Sequence, residues 1–281
     1  MPFGPLVTTD WLEKNLADPS VKIAEIVFES PDDYHSGHIP GAVLWPWQDV
    51  LWDSPKRQFP TPQKMATRLA DIGAGAGDAL VLYSGDVQFA TYGFWVLHTL
   101  CGYSHVYLLD GGRKKWLKEG RPTSTVEETP SAASYSRPTA DRDDHTRIRR
   151  DEVRLCLGDP STRIVDVRSA EEYSGRRVMP GDGFDHGATV AGRIPGAVHL
   201  PYTDLLQDDD SFLPAEELES RWRRVGAAPD QVQTVVVYCR MGHRASLAWF
   251  VMSQILEWNH ARVYDGSWTE WGSCVDMPVE R

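Results

Sequence analysis

Short apolar runs alternate with a helical pattern in the second half of the chain. Four of these runs are predicted strands because they are short and mainly apolar: 163–167, 196–200, 232–238 and 261–264. Residues 246–257 form a predicted helix because their apolar side chains recur every three or four positions. This alternation is typical of an α/β fold with a mainly parallel sheet flanked by helices.

The same sequence landmarks occur twice along the chain. Each lies 155 positions before its counterpart: residues 38–42 and 193–197, 83–84 and 238–239, 94–95 and 249–250, 110–111 and 265–266, and Trp116 and Trp271. Residues 23–25 match 164–166 at a spacing of 141, so the second copy carries fourteen additional residues between 167 and 192. The chain is therefore predicted to contain two tandem copies of one α/β domain.

The region between the copies has a different composition. Residues 121–146 are rich in proline, serine and threonine, which is typical of a linker. We expect an N-terminal domain at 1–120, a linker at 121–146 and a C-terminal domain at 147–281, each domain close to the commonest domain size.

Charge and cysteine content narrow the range of functions. The net charge of −11 argues against a nucleic-acid partner, and no apolar run approaches the roughly eighteen residues of a membrane span. No secretory signal is visible, and the four cysteines form neither a CxxC pair nor a cluster with metal-binding spacing. These features predict a cytoplasmic protein with free thiols and no membrane or metal partner.

Cys239 lies in a setting that favours reactivity. It follows a predicted central strand, where ligands of open α/β sheets bind, and a predicted helix starts shortly afterwards. Loop N–H groups and a helix N-terminus attract anions, and Arg240, His243 and Arg244 add positive charge. Gly242 permits a tight turn. A cysteine at a strand end is more often a small buried hydrophobe, but such a basic loop favours a nucleophilic thiolate.

The first copy provides an internal comparison. Ser84 stands at the position of Cys239, and Gly85 and Asp86 follow it where the second copy has its cations. An acidic residue there opposes anion binding, so the N-terminal domain is predicted to be inactive. Two other features are predicted to be structural: Asp166 and Arg168 form an ion pair near the strand ends, and Asp265, Gly266 and Trp268 form a packed turn.

Three motifs together resemble those of the rhodanese family of sulfurtransferases. They are C-R-M-G-H-R at 239–244, R-I-P-G-A at 193–197 and Y-D-G-S-W-T-E-W-G at 264–272. The resemblance covers nearly the whole chain, and it implies two rhodanese-like domains of which only the C-terminal one is catalytic. The CRxGxR loop is similar to the thiosulfate branch, whereas the mercaptopyruvate branch carries a CG-S/A-G-V-T loop.

The resemblance implies a double displacement through a persulfide on Cys239. A small anionic sulfur donor, thiosulfate, would load the cysteine, and a thiol or cyanide would accept the sulfur, without a metal or organic cofactor. The donor would be bound by Arg240, Met241, Gly242, His243 and Arg244, and Arg193 is a further candidate for positive charge. Vertebrate enzymes have an additional active-site arginine after the D-x-R stretch, where this chain has Glu172.

Other functions stay open at this point. Phosphatases that share the fold use C-x5-R, which is one residue longer than the Cys239–Arg244 loop. 3-Mercaptopyruvate is an alternative donor. A persulfide carrier or sensor with slow turnover would need the same reactive cysteine.

Overall fold

The computed structural model describes residues 4–28, 30–53, 55–101, 105–130 and 145–281. These fall into two compact units, one of residues Met1–Asp144 with Asp208–Ser211, the other of His145–Gln207 with Phe212–Arg281. Residues 131–144 of the predicted linker lie outside the described residues. The domain bounds given above therefore stay predictions.

The first unit is built on a parallel sheet with the strand order β1-β5-β4-β2-β3. Its strands are β1 (Leu6–Val7), β2 (Val21–Val27), β3 (Ala42–Pro46), β4 (Ala79–Ser84) and β5 (Val106–Leu109). Its helices are α1 (Thr9–Lys14), α2 (Asp32–Ser36), α3 (Trp47–Leu51), α4 (Pro62–Asp71), α5 (Val87–Cys101) and α6 (Gly112–Lys118). Every residue of β4 is buried, as expected for a central strand covered on both faces.

The second unit has a parallel sheet with the order β7-β6-β8-β9. Its strands are β6 (Thr162–Asp166), β7 (Val198–His199), β8 (Thr234–Tyr238) and β9 (Ala261–Tyr264). Its helices are α7 (Arg150–Leu155), α8 (Ala170–Tyr173), α9 (Ala215–Arg224), α10 (His243–Phe250) and α11 (Ser267–Trp271), with a 3₁₀ turn at Tyr202–Leu205 and a π turn at Val251–Ile255. Both units confirm the predicted α/β class.

The main difference from the predicted elements lies in α10. Apolar periodicity placed a helix at 246–257, but α10 starts at His243 and opens into the π turn after Phe250. All eight of its residues are buried, including three polar ones, so no polar face marks where it begins. The strand predicted at 196–200 is shorter, Val198–His199, whereas the strand at 261–264 is as predicted.

The internal repeat extends to hydrogen bonds. In each unit a tyrosine of the central strand donates its hydroxyl to a buried carboxylate at 2.6 Å and accepts a backbone N–H at 3.1 Å. The residues are Tyr83, Glu25 and Ile39 in the first unit and Tyr238, Asp166 and Ile194 in the second. This network ties the central strand to its neighbour and to the loop that enters the next strand, so both copies keep the same strand ends in place.

The predicted ion pair of Asp166 and Arg168 is confirmed. Its shortest N–O distance is 2.6 Å, and neither side chain is exposed to solvent. Arg168 also donates to the Gly192 carbonyl at 2.7 Å and lies 4.6 Å from the ring centre of Trp268. The pair therefore joins the end of β6 to the inserted loop and to α11.

We expect Arg168→Met to lower the free energy of unfolding by about 3–5 kcal/mol, because it leaves Asp166 buried without its cation. Arg223→Met is a matched control: Arg223 pairs with Glu219 and Asp230 on the surface, so its loss should cost about 1 kcal/mol or less. Urea unfolding followed by circular dichroism measures both. Equal losses of unfolding free energy in the two variants would show that the buried pair stabilises the fold no more than the surface pairs do.

Candidate active site

Cys239 directly follows β8, at the carboxyl end of a central strand of the second sheet. The residue is buried, and its Sγ accepts the Gly242 N–H at 3.1 Å. Gly242 has a φ of 96°, a left-handed conformation that side chains with a Cβ rarely adopt. The loop thus turns back on itself and directs an N–H donor and the start of α10 at the sulfur, an arrangement that stabilises a sulfur anion.

Ser267 is a site residue that sequence reasoning missed. Its Oγ accepts the Cys239 N–H at 3.1 Å, donates to the Tyr264 carbonyl at 2.6 Å and lies 4.0 Å from the Cys239 Sγ. Its φ is 53°, a strained value for a residue with a Cβ. The matching residue of the first unit is Gly112, with a φ of 50°. The sequence signal that could have revealed Ser267 is a serine at a position where the first copy has glycine.

The loop backbone is also held by α11. The N–H groups of Trp268 and Thr269 donate to the carbonyls of Cys239 and Arg240, both at 3.0 Å. The turn at 265–268, interpreted from sequence as packing, therefore fixes the backbone that carries the thiol.

The structure corrects the charge expected from Arg244. Its guanidinium forms two hydrogen bonds with the Glu172 carboxylate, at 2.6 and 2.9 Å, and both side chains are buried. Burial alone would raise the pKa of Glu172, but the hydrogen bonds and charge of Arg244 outweigh it and lower that pKa. Glu172 is therefore ionised, and the positive charge of Arg244 is compensated rather than free for a ligand.

Arg240 differs from Arg244 because the described part of the chain gives it no ion pair. It is partly buried, and its Nε is buried without a hydrogen-bond partner. Burial, followed by the charge of Arg244, lowers the pKa of Arg240. Gly187 of the inserted loop leaves room for the guanidinium, because a Cβ there would lie 2.7 Å from Nη2. The insertion thus shapes the surroundings of this cation.

Of the remaining predicted site residues, two lie in or next to the loop of Cys239 and one lies against the C-terminal segment. Met241 is half-buried in the loop, and His243 is the buried first residue of α10. Arg193, by contrast, forms an ion pair with Glu280 and lies 4.7 Å from the Tyr173 ring centre. Its backbone pairs with that of Glu280, as His38 pairs with Ser124 in the first unit. Arg193 braces the C-terminal segment, so we leave it out of the proposed site.

The other cysteines have different surroundings. Burial raises the pKa of Cys156. Cys274 accepts a hydrogen bond from Arg150 at 3.2 Å, so it has a cationic neighbour in space although none follows it closely in the sequence. These residues are 124 positions apart, which no local pattern reveals. The side chain of Cys101 lies outside the described part of the structure.

Comparison with known families identifies this arrangement. The model of the rhodanese-like domain matches the chain twice, at residues 8–119 and 150–274. The chain belongs to the rhodanese family. The first of its domains carries Ser84 in place of the cysteine, and the Ser84 hydroxyl is already engaged, donating to the Asp86 carbonyl at 2.5 Å and accepting the Ala90 N–H at 3.0 Å.

The chain has relatives of similar length. The chain is 38% identical over 281 residues to the "Sulfur carrier protein TtuD" of Thermus thermophilus, covering 98% of this chain and 96% of that protein. It is also 38% identical over 276 residues to a "Putative thiosulfate sulfurtransferase" of Saccharopolyspora erythraea, covering 98% and 95%. These names describe a carrier and an enzyme of sulfur chemistry.

Solved structures share the fold. The anaerobic ergothioneine biosynthesis enzyme from Chlorobium limicola matches with a TM-score of 0.82 and 24% identity, over 98% of this chain and 70% of that one. YnjE matches with a TM-score of 0.80 and 25% identity, over 99% and 69%. No helix in the described ranges is long and apolar enough to cross a membrane.

We expect Gly242→Ala to slow alkylation of Cys239 by iodoacetamide about fivefold, because the Cβ strains the loop and the sulfur loses an N–H donor worth ~1 kcal/mol. Gly181→Ala is the control: it also has a positive φ, of 78°, but a Cβ there meets open space. Peptide mass spectrometry distinguishes Cys239 from the other thiols. An equal or faster rate in Gly242→Ala would contradict the role given to this N–H group.

Proposed function

We propose that this rhodanese is a sulfurtransferase that moves the sulfane sulfur of thiosulfate to a thiol or to cyanide through a persulfide on Cys239. The observation that carries the proposal is the buried Sγ, which faces the Gly242 N–H at the start of α10. A sulfur anion is favoured there, both as the attacking thiolate and as the terminal sulfur of a persulfide.

The reaction has two displacements. The Cys239 thiolate attacks the outer sulfur of thiosulfate, the S–S bond of the donor breaks, and sulfite leaves with the bonding electron pair. The acceptor then attacks the terminal sulfur of the persulfide, and the Cys239 thiolate leaves. Splitting one transfer into two steps is covalent catalysis, and attack by a thiolate needs no general base.

Groups of the loop perform separate tasks. The Gly242 N–H holds the sulfur anion, while Arg240 attracts the donor and stabilises departing sulfite. Arg244 is assigned to holding the loop against Glu172, since its charge is compensated. The domain at 1–120 is proposed to be inactive, and the proposed reaction uses only residues of the domain at 147–281.

A second candidate function is a persulfide carrier, favoured by the name of the Thermus thermophilus relative. A carrier and an enzyme share the first displacement and differ in how fast the sulfur leaves. Turnover with cyanide and with low-molecular-weight thiols separates them: multiple turnovers with small acceptors indicate an enzyme. The same assay with 3-mercaptopyruvate tests the alternative donor.

Thiosulfate should add the mass of one sulfur atom to Cys239, and cyanide should remove it. Intact-protein and peptide mass spectrometry show the addition, and Cys239→Ser is the variant that should stay unmodified. A sulfur atom on Cys101, Cys156 or Cys274 instead would show that Cys239 is not the reacting thiol.

Ser84→Cys in a Cys239→Ser background should show no sulfur transfer. The new thiol would occupy the matching strand end, but Asp86 follows it where the active loop has cations and Gly242. A thiol without these groups keeps a few per cent of thiolate at neutral pH, and the carboxylate repels a dianionic donor. The cyanide assay measures the outcome. Activity in this variant would mean that strand position alone makes the thiol reactive.

A further inference from the structure

The buried charges around Cys239 occur as compensated pairs. Arg168 is paired with Asp166 at 2.6 Å, with neither group exposed. Arg244 is paired with Glu172 through two hydrogen bonds, and Glu172 is fully buried. Two of the guanidinium groups of this region therefore contribute no net charge to a ligand.

Arg240 is the cation of the loop that the described residues leave without an ion pair. It interacts electrostatically with the sulfur of Cys239 and also with Glu172 and Asp185. When Cys239 is a thiolate, Arg240 balances that one charge. Asp185 is exposed to solvent, so the net charge of the buried groups in the resting site is then close to zero, and each donor adds its own charge to it.

Glu172 is held firmly as an anion at this place. Besides both hydrogen bonds from Arg244, its carboxylate accepts the Ser169 N–H at 3.0 Å in the capping box of α8. The ionised carboxylate cancels the charge of Arg244, which would otherwise attract a negatively charged donor strongly because little solvent screens it. Its effect is greater on a donor with two negative charges than on a donor with one.

We propose that Glu172 sets the charge selectivity of the active site, so that singly charged sulfane-sulfur donors are used in preference to the dianion thiosulfate. This inference rests on the proposed transfer of sulfur to Cys239. The preferred class comprises thiosulfonates and hydropersulfides, whose reactive sulfur carries a single negative charge. Thiosulfate remains a substrate, but it is not the donor that the charges favour.

Methanethiosulfonate is a suitable probe because it differs from thiosulfate by one methyl group in place of one charged oxygen. The Cys239 thiolate forms a bond with its sulfane sulfur, the bond between that sulfur and the sulfonyl sulfur breaks, and methanesulfinate leaves with the electron pair. Both donors therefore load the same persulfide, and a change in the ratio of their rates between variants reports the effect of the donor's charge.

The experiment compares wild type, Glu172→Gln and Glu171→Gln, with kcat/KM measured for both donors at the same pH. Glutamine keeps the shape of Glu172 and removes its charge. We expect Glu172→Gln to raise the ratio of kcat/KM for thiosulfate to that for methanethiosulfonate by about tenfold or more. Glu171 is exposed and adjacent, so Glu171→Gln should leave this ratio unchanged.

An unchanged or lower ratio in Glu172→Gln would overturn the proposal. If Glu172→Gln has no thermal unfolding transition, the variant is not folded and the proposal is tested with the wild type alone. Each kcat/KM is then divided by the rate constant for direct reaction of that donor with cyanide, which removes the intrinsic reactivity of the donor. A higher normalised value for methanethiosulfonate supports the proposal, and a higher value for thiosulfate overturns it.

The same measurements distinguish a failure of the proposed sulfurtransferase function from a failure of the charge selectivity alone. If neither donor leaves a sulfur atom on Cys239 of the wild type, the proposed sulfurtransferase function has failed. If both donors load Cys239 but the ratio does not respond to Glu172→Gln, only the charge selectivity has failed.

Discussion

A negative charge on the sulfur of Cys239 must be stabilised almost without bulk water, since the residue is 1% exposed. Desolvation of an anion is costly, so the compensating groups must already be in position. The Gly242 N–H at 3.1 Å, the start of α10 and the Arg240 guanidinium are those groups. Each depends on the path of the 239–244 backbone, which makes the conformation of this loop the constraint on the whole site.

The loop conformation is fixed from the side of α11 as well as from β8. Ser267 accepts the Cys239 N–H, and the next two N–H groups bind the loop carbonyls. The first unit has Gly112 at the position of Ser267, with nearly the same backbone angle. A glycine satisfies that angle without strain, so the serine indicates that its hydroxyl compensates for the strain through two hydrogen bonds.

Patterns along the chain were sufficient to predict the repeat, the α/β class and the thiol at the end of a central strand. Short, continuous apolar runs reveal strands that are buried on both faces, and the 155-residue spacing aligned Ser84 with Cys239. The start of α10 was misplaced because its polar residues are buried too. The Glu172–Arg244 pair was not predicted because its partners are 72 positions apart, and neither residue carries a local signal of the other.

The two buried ion pairs of the second unit have different origins. The hydrogen bond of Tyr238 to Asp166 has a counterpart in that of Tyr83 to Glu25, so this carboxylate belongs to the scaffold of both copies. The position of Arg244 is occupied in the first unit by Phe89, which stacks on Phe28 at 4.3 Å.

The fold is therefore compatible with an apolar residue at the position of Arg244, and buried ion pairs are rarely more stabilising than apolar packing. Stability alone does not account for Glu172 and Arg244 beside the thiol. What the pair adds is a set of hydrogen bonds that hold the loop beside the sulfur of Cys239, while Glu172 cancels the charge that Arg244 alone would bring there.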